Sequence, residues 1–166
     1  MIYLFIKHDR LSYQVLNKNG VVKMKAHWER ENPSFAETRK SIPTLIVQKP
    51  DKKIFSKSYL QPSKSFIHSS WNDKYILAIN NQKYVMSRTG PWRKNWEVRL
   101  NKSSYKYLSE FWSEQSTILK DNNPILKING NIISLKKPLL ETVDFLIGMS
   151  IYFTLEDPWQ ISEVNL

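Results

Sequence analysis

The chain has no cysteine, only four glycines and only three histidines among its 166 residues. Without cysteine there are no thiolate metal sites, cysteine nucleophiles or disulfide staples, and a reducing compartment suits the composition. Gly20, Gly90, Gly130 and Gly148 stand too far apart to build a phosphate-cradling loop or a dinucleotide fingerprint. His8, His27 and His68 lie at none of the close spacings that build a metal centre, so neither metal nor cofactor is expected. No serine sits in a G-x-S-x-G elbow. Asp73, Glu97, Glu110 and Glu114 are scattered, and an acid pair would need the fold to bring them together. Long apolar runs are missing too: Phe145 to Leu155 is about half of the ~20 residues a membrane-spanning helix needs. Met1 to Ile6 meets His8, Asp9 and Arg10 too soon for a signal-peptide core, so a cytoplasmic location is expected.

What the chain does have is aromatic and basic. Six Trp, eight Tyr and seven Phe supply a packed core, and the length suits one domain. The net charge is +10. Residues 1–110 hold 21 Lys plus Arg against 8 Asp plus Glu, and residues 111–166 hold 4 against 7. The last third therefore follows a different rule.

Most of the first 135 residues alternate with period two. Leu11, Tyr13 and Val15 precede the turn cluster Asn17-Lys18-Asn19-Gly20, and Val22, Met24, Ala26 and Trp28 follow it, alternating with Lys23, Lys25 and His27. Asn19-Gly20 supplies the positive φ of a two-residue hairpin turn. A second hairpin turns at Asn80-Asn81, which sets Leu77 opposite Tyr84 and Tyr75 opposite Met86. A third turns at Asn129-Gly130, with Leu126 opposite Ile133. Further strands are expected at Thr44 to Gln48, Ile54 to Tyr59, Phe66 to Ser70 and Trp96 to Leu100, with Glu29 to Ile42 a long loop. Ser103 to Glu114 fits both periods and leans toward strand.

The segment from Leu139 or Glu141 to about Leu155 is different. Its apolar residues cover every side of a helical wheel, so a helix here has to be buried all round. Pro138 lies ahead of it, Glu141 and Asp144 suit its first turns, and Pro158 marks its end. A buried strand over Phe145 to Leu155 is the alternative. One all-apolar helix in a chain of antiparallel strands cannot lie on an open sheet, which would cover one face only. The expected fold is therefore mainly β: residues 1–157 form a closed antiparallel barrel of about twelve strands around a buried C-terminal helix, followed by a tail, 158–166.

The opening Ile2 to Lys7, the hairpin Leu11 to Gly20 and above all Asp144-Phe145-Leu146-Ile147-Gly148-Met149-Ser150-Ile151-Tyr152-Phe153 make the chain resemble the tubby C-terminal-like fold, which includes the LURP-one-related proteins and the phospholipid scramblases. The helix segment is similar to the central helix of the small bacterial members. The resemblance spans nearly the whole chain, although the tail Pro158 to Leu166 departs from it and no lipid-binding residues carry over. It implies a non-enzymatic module, which in some relatives binds membrane phosphoinositides.

The residues themselves offer one basic and aromatic cluster in two segments. Arg88, Arg93, Lys94 and Arg99 surround Trp92 and Trp96, and Lys49, Lys52, Lys53, Lys57 and Lys64 surround the Ile54 to Tyr59 strand. Guanidinium and ammonium groups pair with phosphates, and Trp92 suits a lipid interface or a stacked base. The candidate anion-binding set is Arg88, Arg93, Lys94, Arg99, Lys52, Lys53, Lys57 and Trp92, against a bland alternative of aromatics packed at a barrel mouth beneath solvated lysines. An anionic phospholipid or membrane surface at the inner face of the membrane is the expected partner, ahead of a protein partner in a regulatory or immunity-type role and of nucleic acid.

Overall fold

The computed structural model describes residues 1–9, 11–31, 42–61, 74–89, 95–109, 114–136 and 142–156. Twelve strands follow one another in chain order: β1 (Ile2–Asp9), β2 (Ser12–Asn17), β3 (Val22–Glu31), β4 (Ile42–Gln48), β5 (Ile54–Gln61), β6 (Lys74–Ile79), β7 (Gln82–Arg88), β8 (Trp96–Leu100), β9 (Ser103–Ser109), β10 (Gln115–Lys120), β11 (Asn123–Asn129) and β12 (Ile132–Leu135). Each pairs antiparallel with the next, and β12 returns to β1, with Leu4 opposite Ile133, so the sheet closes into a barrel. One helix, α1 (Val143–Glu156), follows.

The alternation in sequence becomes an inside and an outside. Leu4, Tyr13, Met24, Ala26, Leu45, Leu77, Met86, Val98, Tyr107, Ile118, Leu126 and Ile133 come from eleven strands and are all buried in one core. Twelve strands ~4.8 Å apart and tilted enclose a cylinder about 24 Å across, and inward side chains leave about 14 Å, the width of one α-helix. α1 fills that space. It packs against β4 and β5 on one side of the ring and against β9 and β11 on the other. Phe145 to Ile151, Phe153 and Thr154 are all buried, as a helix apolar on every side requires. Gly148 marks its closest approach to the wall: a Cβ there would lie 2.4 Å from Leu126 Cδ1. Phe153 stacks on Tyr13 across 4.5 Å.

Polar groups set the height of the helix in the barrel. Ser150 Oγ donates to the Leu146 carbonyl at 2.7 Å, and Thr154 Oγ1 to the Ser150 carbonyl at 2.6 Å. Each hydroxyl has one hydrogen, so the partners on β5 must donate: Ser56 to Ser150 at 2.7 Å and Ser58 to Thr154 at 2.6 Å. Two residues of strand advance about 6.7 Å and four of helix about 6.0 Å, so the two pairs match only if α1 runs parallel to β5.

Several expectations are corrected in detail. The first hairpin has a three-residue loop, not a two-residue Asn19-Gly20 turn: Gly20 N donates to Asn17 O, Asn17 N to Val21 O, and Gly20 takes φ +74°. The third hairpin turns at Gly130-Asn131, so Asn129 faces Ile132, and Leu126 lies opposite Leu135 rather than Ile133. A shift of two residues keeps every side chain on its face, so the apolar pattern could not separate these registers. The helix starts at Val143, where Thr142 Oγ1 accepts from Phe145 N at 3.4 Å as its cap. The Glu29 to Ile42 loop is shorter than expected, because β3 runs to Glu31 and β4 begins at Ile42. Ser103–Ser109 is strand, and the buried segment at 143–156 is helix. The strand expected at 66–70 and the tail 158–166 lie outside the described residues.

Candidate functional site

In a meander every second connection lies at the same end of the barrel. One end carries the tips β2–β3, β4–β5, β6–β7, β8–β9 and β10–β11, all of two to five residues, together with the N-terminus of α1. The connections 32–41, 62–73 and 89–95 join strand ends at the other, while 136–142 leads from β12 to α1 at the first.

The candidate basic residues divide between these ends. Lys52 and Lys53 stand side by side in the β4–β5 tip. Lys57 lies midway along β5, opposite Ala78 of β6. Arg99, its side chain 83% exposed, sits three strands away on β8, with Nε 3.5 Å from Glu97 Oε1. Arg88 ends β7 at the far end, its guanidinium 5.9 Å from the ring of Trp96. Trp96 is buried and packs edge-on against Tyr75 at 5.3 Å, so that indole belongs to the core. Trp92, Arg93 and Lys94 lie outside the described residues, as does Lys64. Of the described candidates only Lys52 and Lys53 come together.

The fold gathers a different set around them. Lys18 in the β2–β3 tip, Lys49, Lys52 and Lys53 in the β4–β5 tip, Lys102 in the β8–β9 tip and Lys136 after β12 are all exposed on one rim. Local structure fixes their backbones. Asn17 Oδ1 accepts from Asn19 N and Val21 N at 3.0 and 2.9 Å, tying down the loop that carries Lys18. The β4–β5 tip repeats that loop: Lys52 N donates to Lys49 O and Lys49 N to Lys53 O, each at 2.9 Å. Lys52 takes φ +64° in the position where Gly20 stands in the first tip, a conformation that costs a side-chain-bearing residue about 1 kcal/mol. Asn101, at φ +54°, opens the tip that carries Lys102.

Counter-charge at this rim is sparse among the described residues. Asp51 lies 3.7 Å from Lys53, both well exposed, a pair worth little. Asp121 is occupied, accepting from Ser104 N at 2.9 Å. Asp144 is bound to Lys120 at 2.9 Å. The other end holds Asp9, Glu29, Glu114 and Glu156 against Lys7, Lys74 and Arg88. The charge of the described barrel is thus polarised along its axis. The same basic rim exposes Val21, Ile54 and Val143, at 53%, 53% and 58%, and an apolar groove of about 230 Å³ lined by Pro124, Ile125 and Leu135, with Lys127 and Lys136 at its lip.

Carboxylates do not converge on a catalytic pair among the described residues. Glu97 lies on the outer wall, where the Ser104 hydroxyl at 2.8 Å, outweighing partial burial and helped by Arg99 and Lys106, holds its carboxyl below the ordinary value. Glu114 stands at the end away from the basic rim, two strands from Glu97, and Asp73 and Glu110 lie outside the described residues. His8 meets Asn131 at 3.2 Å and His27 meets Glu29 at 3.5 Å; no group of three or more potential metal ligands forms among the described residues. Two further carboxylates, partly buried Asp144 and exposed Glu156, anchor the two ends of the helix. Tyr105 and Lys120 hold Asp144, and Tyr107 and Ser116 hold Glu156.

Lys18, Lys102 and Lys136 were not singled out by sequence reasoning, which weighed basic residues by runs along the chain. The signal was present: counting alternate turns of the meander would have placed Lys18, Lys49 to Lys53 and Lys102 at one end. No described helix is long and apolar enough to cross a membrane. No family model matches the chain, and comparison with curated proteins and with solved structures returns no match.

Proposed function

We propose that this protein is a non-enzymatic binding module that rests on an anionic membrane surface, with the short-turn rim toward the phospholipid headgroups. The carrying observation is the concentration of Lys18, Lys49, Lys52, Lys53, Lys102 and Lys136 on one end of the barrel, opposed there by little free carboxylate. Each lysine near an anionic bilayer contributes about 1 kcal/mol, so the four on the two neighbouring tips, less Asp51, supply about 3 kcal/mol, roughly 150-fold in affinity. A cytoplasmic protein would meet such a surface at the inner face of the membrane. The tubby-like resemblance of the helix segment points the same way, since relatives of that fold include phosphoinositide binders. Nucleic acid is the weaker reading: of the two tryptophans in the basic segment Trp96 is buried against Tyr75, which leaves Trp92, outside the described residues, as the base-stacking candidate.

The test is co-sedimentation with vesicles of phosphatidylcholine alone or with phosphatidylserine, beside a mobility-shift assay with single-stranded and duplex oligonucleotides. Binding is expected to phosphatidylserine vesicles only, to weaken with salt, and to fall about 100-fold or more in a Lys18→Glu/Lys49→Glu/Lys52→Glu/Lys53→Glu variant that keeps the native circular dichroism. Binding to oligonucleotides and not to vesicles would replace the membrane with nucleic acid. Binding to neither would leave a protein partner.

A further inference from the structure

The β2–β3 and β4–β5 tips are neighbours on the rim, separated only by the paired strands β3 and β4. Each combines the same two chemistries. The first presents Lys18 with Val21 three residues on; the second presents Lys49, Lys52 and Lys53 with Ile54 immediately after. Val21 and Ile54 are each 53% exposed, although apolar residues elsewhere in these strands are buried: Val15, Met24, Leu45 and Val47 each show none of their surface. A single exposed aliphatic side chain is ordinary on a protein surface. Two of them on adjacent tips, each beside lysines that carry the charge complement of a phosphate layer, are placed as membrane-contacting side chains are. The cations reach the headgroups while the aliphatic groups sit about 5–10 Å deeper, at the acyl boundary.

We infer that Val21 and Ile54 insert into the bilayer as a two-pronged anchor, so that the barrel stands on its β2–β5 sector. This rests on the proposed membrane function and adds a depth and an orientation to it. Electrostatic attraction alone gives weak, salt-labile attachment; a basic patch with an apolar contact supplies the two signals that stable peripheral binding takes. The tip backbones are suited to the task. Both are three-residue loops closed by their own hydrogen bonds, so the two side chains are presented from ordered positions.

The absence of cysteine makes the test direct. Val21→Cys, Ile54→Cys and, as a reference on the wall of β7, Val85→Cys (45% exposed in the parent) are each labelled with an environment-sensitive fluorophore and mixed with phosphatidylcholine vesicles with or without phosphatidylserine. The expected result is a blue shift and shielding from an aqueous quencher at positions 21 and 54, with phosphatidylserine only, and no change at 85. An unlabelled Val21→Ser/Ile54→Ser variant is expected to lose about tenfold or more in vesicle affinity while keeping the salt dependence of the parent. If the protein binds these vesicles but positions 21 and 54 stay fully quenchable, or position 85 becomes shielded instead, insertion is wrong and the membrane function stands. If the parent binds no vesicle, the membrane function fails and the anchor with it.

Discussion

Tyr105 donates a 2.5 Å hydrogen bond to Asp144 Oδ1, joining the barrel wall near its short-turn end to the first turn of the interior helix. Lys120 reaches both oxygens of the same carboxylate at 2.9 Å, with its ammonium 5.8 Å from the Tyr105 ring. Two residues along the strand, Tyr107 donates to Glu156 in the last turn. One strand therefore grips both ends of the helix. Glu156 lies at the helix end where a negative charge is disfavoured, and the hydroxyls of Tyr107 and Ser116 are what make that end tolerable.

The Asp144 clamp gives the fold an acid limit. Partial burial pushes this carboxyl up, but the hydrogen bonds from Tyr105 and Lys120 and the charge of Lys120 outweigh it and hold it below the ordinary value. A depressed folded value contributes stability above the unfolded Asp value of about 3.9, which is lost as pH falls through the folded value. Asp144→Asn is expected to cost about 1–2 kcal/mol at pH 7, the lower part of the range because Lys120 keeps 31% of its side-chain surface in water. The gap between parent and variant in urea unfolding should begin to close as pH falls below about 4 and be gone below the folded value of Asp144. A gap that stays constant with pH would show that the charge of Asp144 contributes nothing.

At the alkaline end the sign is reversed. Burial first, then the hydrogen bonds to Asp144 and Glu156, raise the pKa of Tyr105 and Tyr107 above the ordinary phenol value. Their stability is complete below about pH 10 and is lost as pH rises through the folded values. Tyrosinate absorbance in a rising pH titration should show a late fraction that appears only as near-ultraviolet dichroism is lost. The Tyr105→Phe/Tyr107→Phe variant should show a smaller late fraction, the rest coming from the buried Tyr13 and Tyr75. Full ionisation of all tyrosines in the folded protein would contradict it.

The serine pairs carry an asymmetry. In Ser58→Ala, Thr154 still donates to the Ser150 carbonyl and no buried hydrogen is stranded. In Thr154→Val, the buried Ser58 hydroxyl loses its acceptor. Denaturant melts should place the cost of Thr154→Val at about 1–3 kcal/mol, with Ser58→Ala near 1 kcal/mol or less. The reverse order would mean that the proton directions deduced for the pair are wrong.

Gly148 sets two opposed effects against each other. Alanine gains about 1 kcal/mol of helix propensity, but its Cβ would need Leu126 to give way in a filled core. Packing is expected to win, with Gly148→Ala net destabilising by about 1 kcal/mol. The same substitution made in a Leu126→Ala background should become neutral or stabilising. An unchanged cost in the double-mutant cycle would separate the two residues.

Lys52 trades stability for charge. Glycine removes the strain of its positive φ, so Lys52→Gly should raise the denaturation midpoint, by about 1 kcal/mol in stability, while lowering affinity for phosphatidylserine vesicles. Greater stability with undiminished vesicle binding would take Lys52 out of the proposed contact.

The barrel and its helix were legible because period and face are written in single residues: Tyr75 meets Met86 and Leu77 meets Tyr84 as the Asn80-Asn81 turn implies. What stayed illegible was anything that leaves the face unchanged, as in the third hairpin, or that rests on one small group, such as the Thr142 cap or Gly148 against Leu126. The site was harder to read because it is not contiguous. Lys18 and Lys102 are 84 residues apart and share a rim only through the meander. Arg88 and Arg99, close in sequence, end up toward opposite ends of β7 and β8.

The seam between β1 and β12 also governs how the chain can assemble. Leu4 cannot meet Ile133 until more than 120 intervening residues are in place, and the helix that fills the cylinder comes later still. A closed ring would admit that helix only end-on, past the polar groups that hold Asp144 and Glu156. Ring closure and helix entry are therefore one event, the slowest kind of contact for a chain to find. Until it happens, the chain exposes both a free sheet edge and its most apolar segment, so the aggregation hazard is concentrated in the last step of folding.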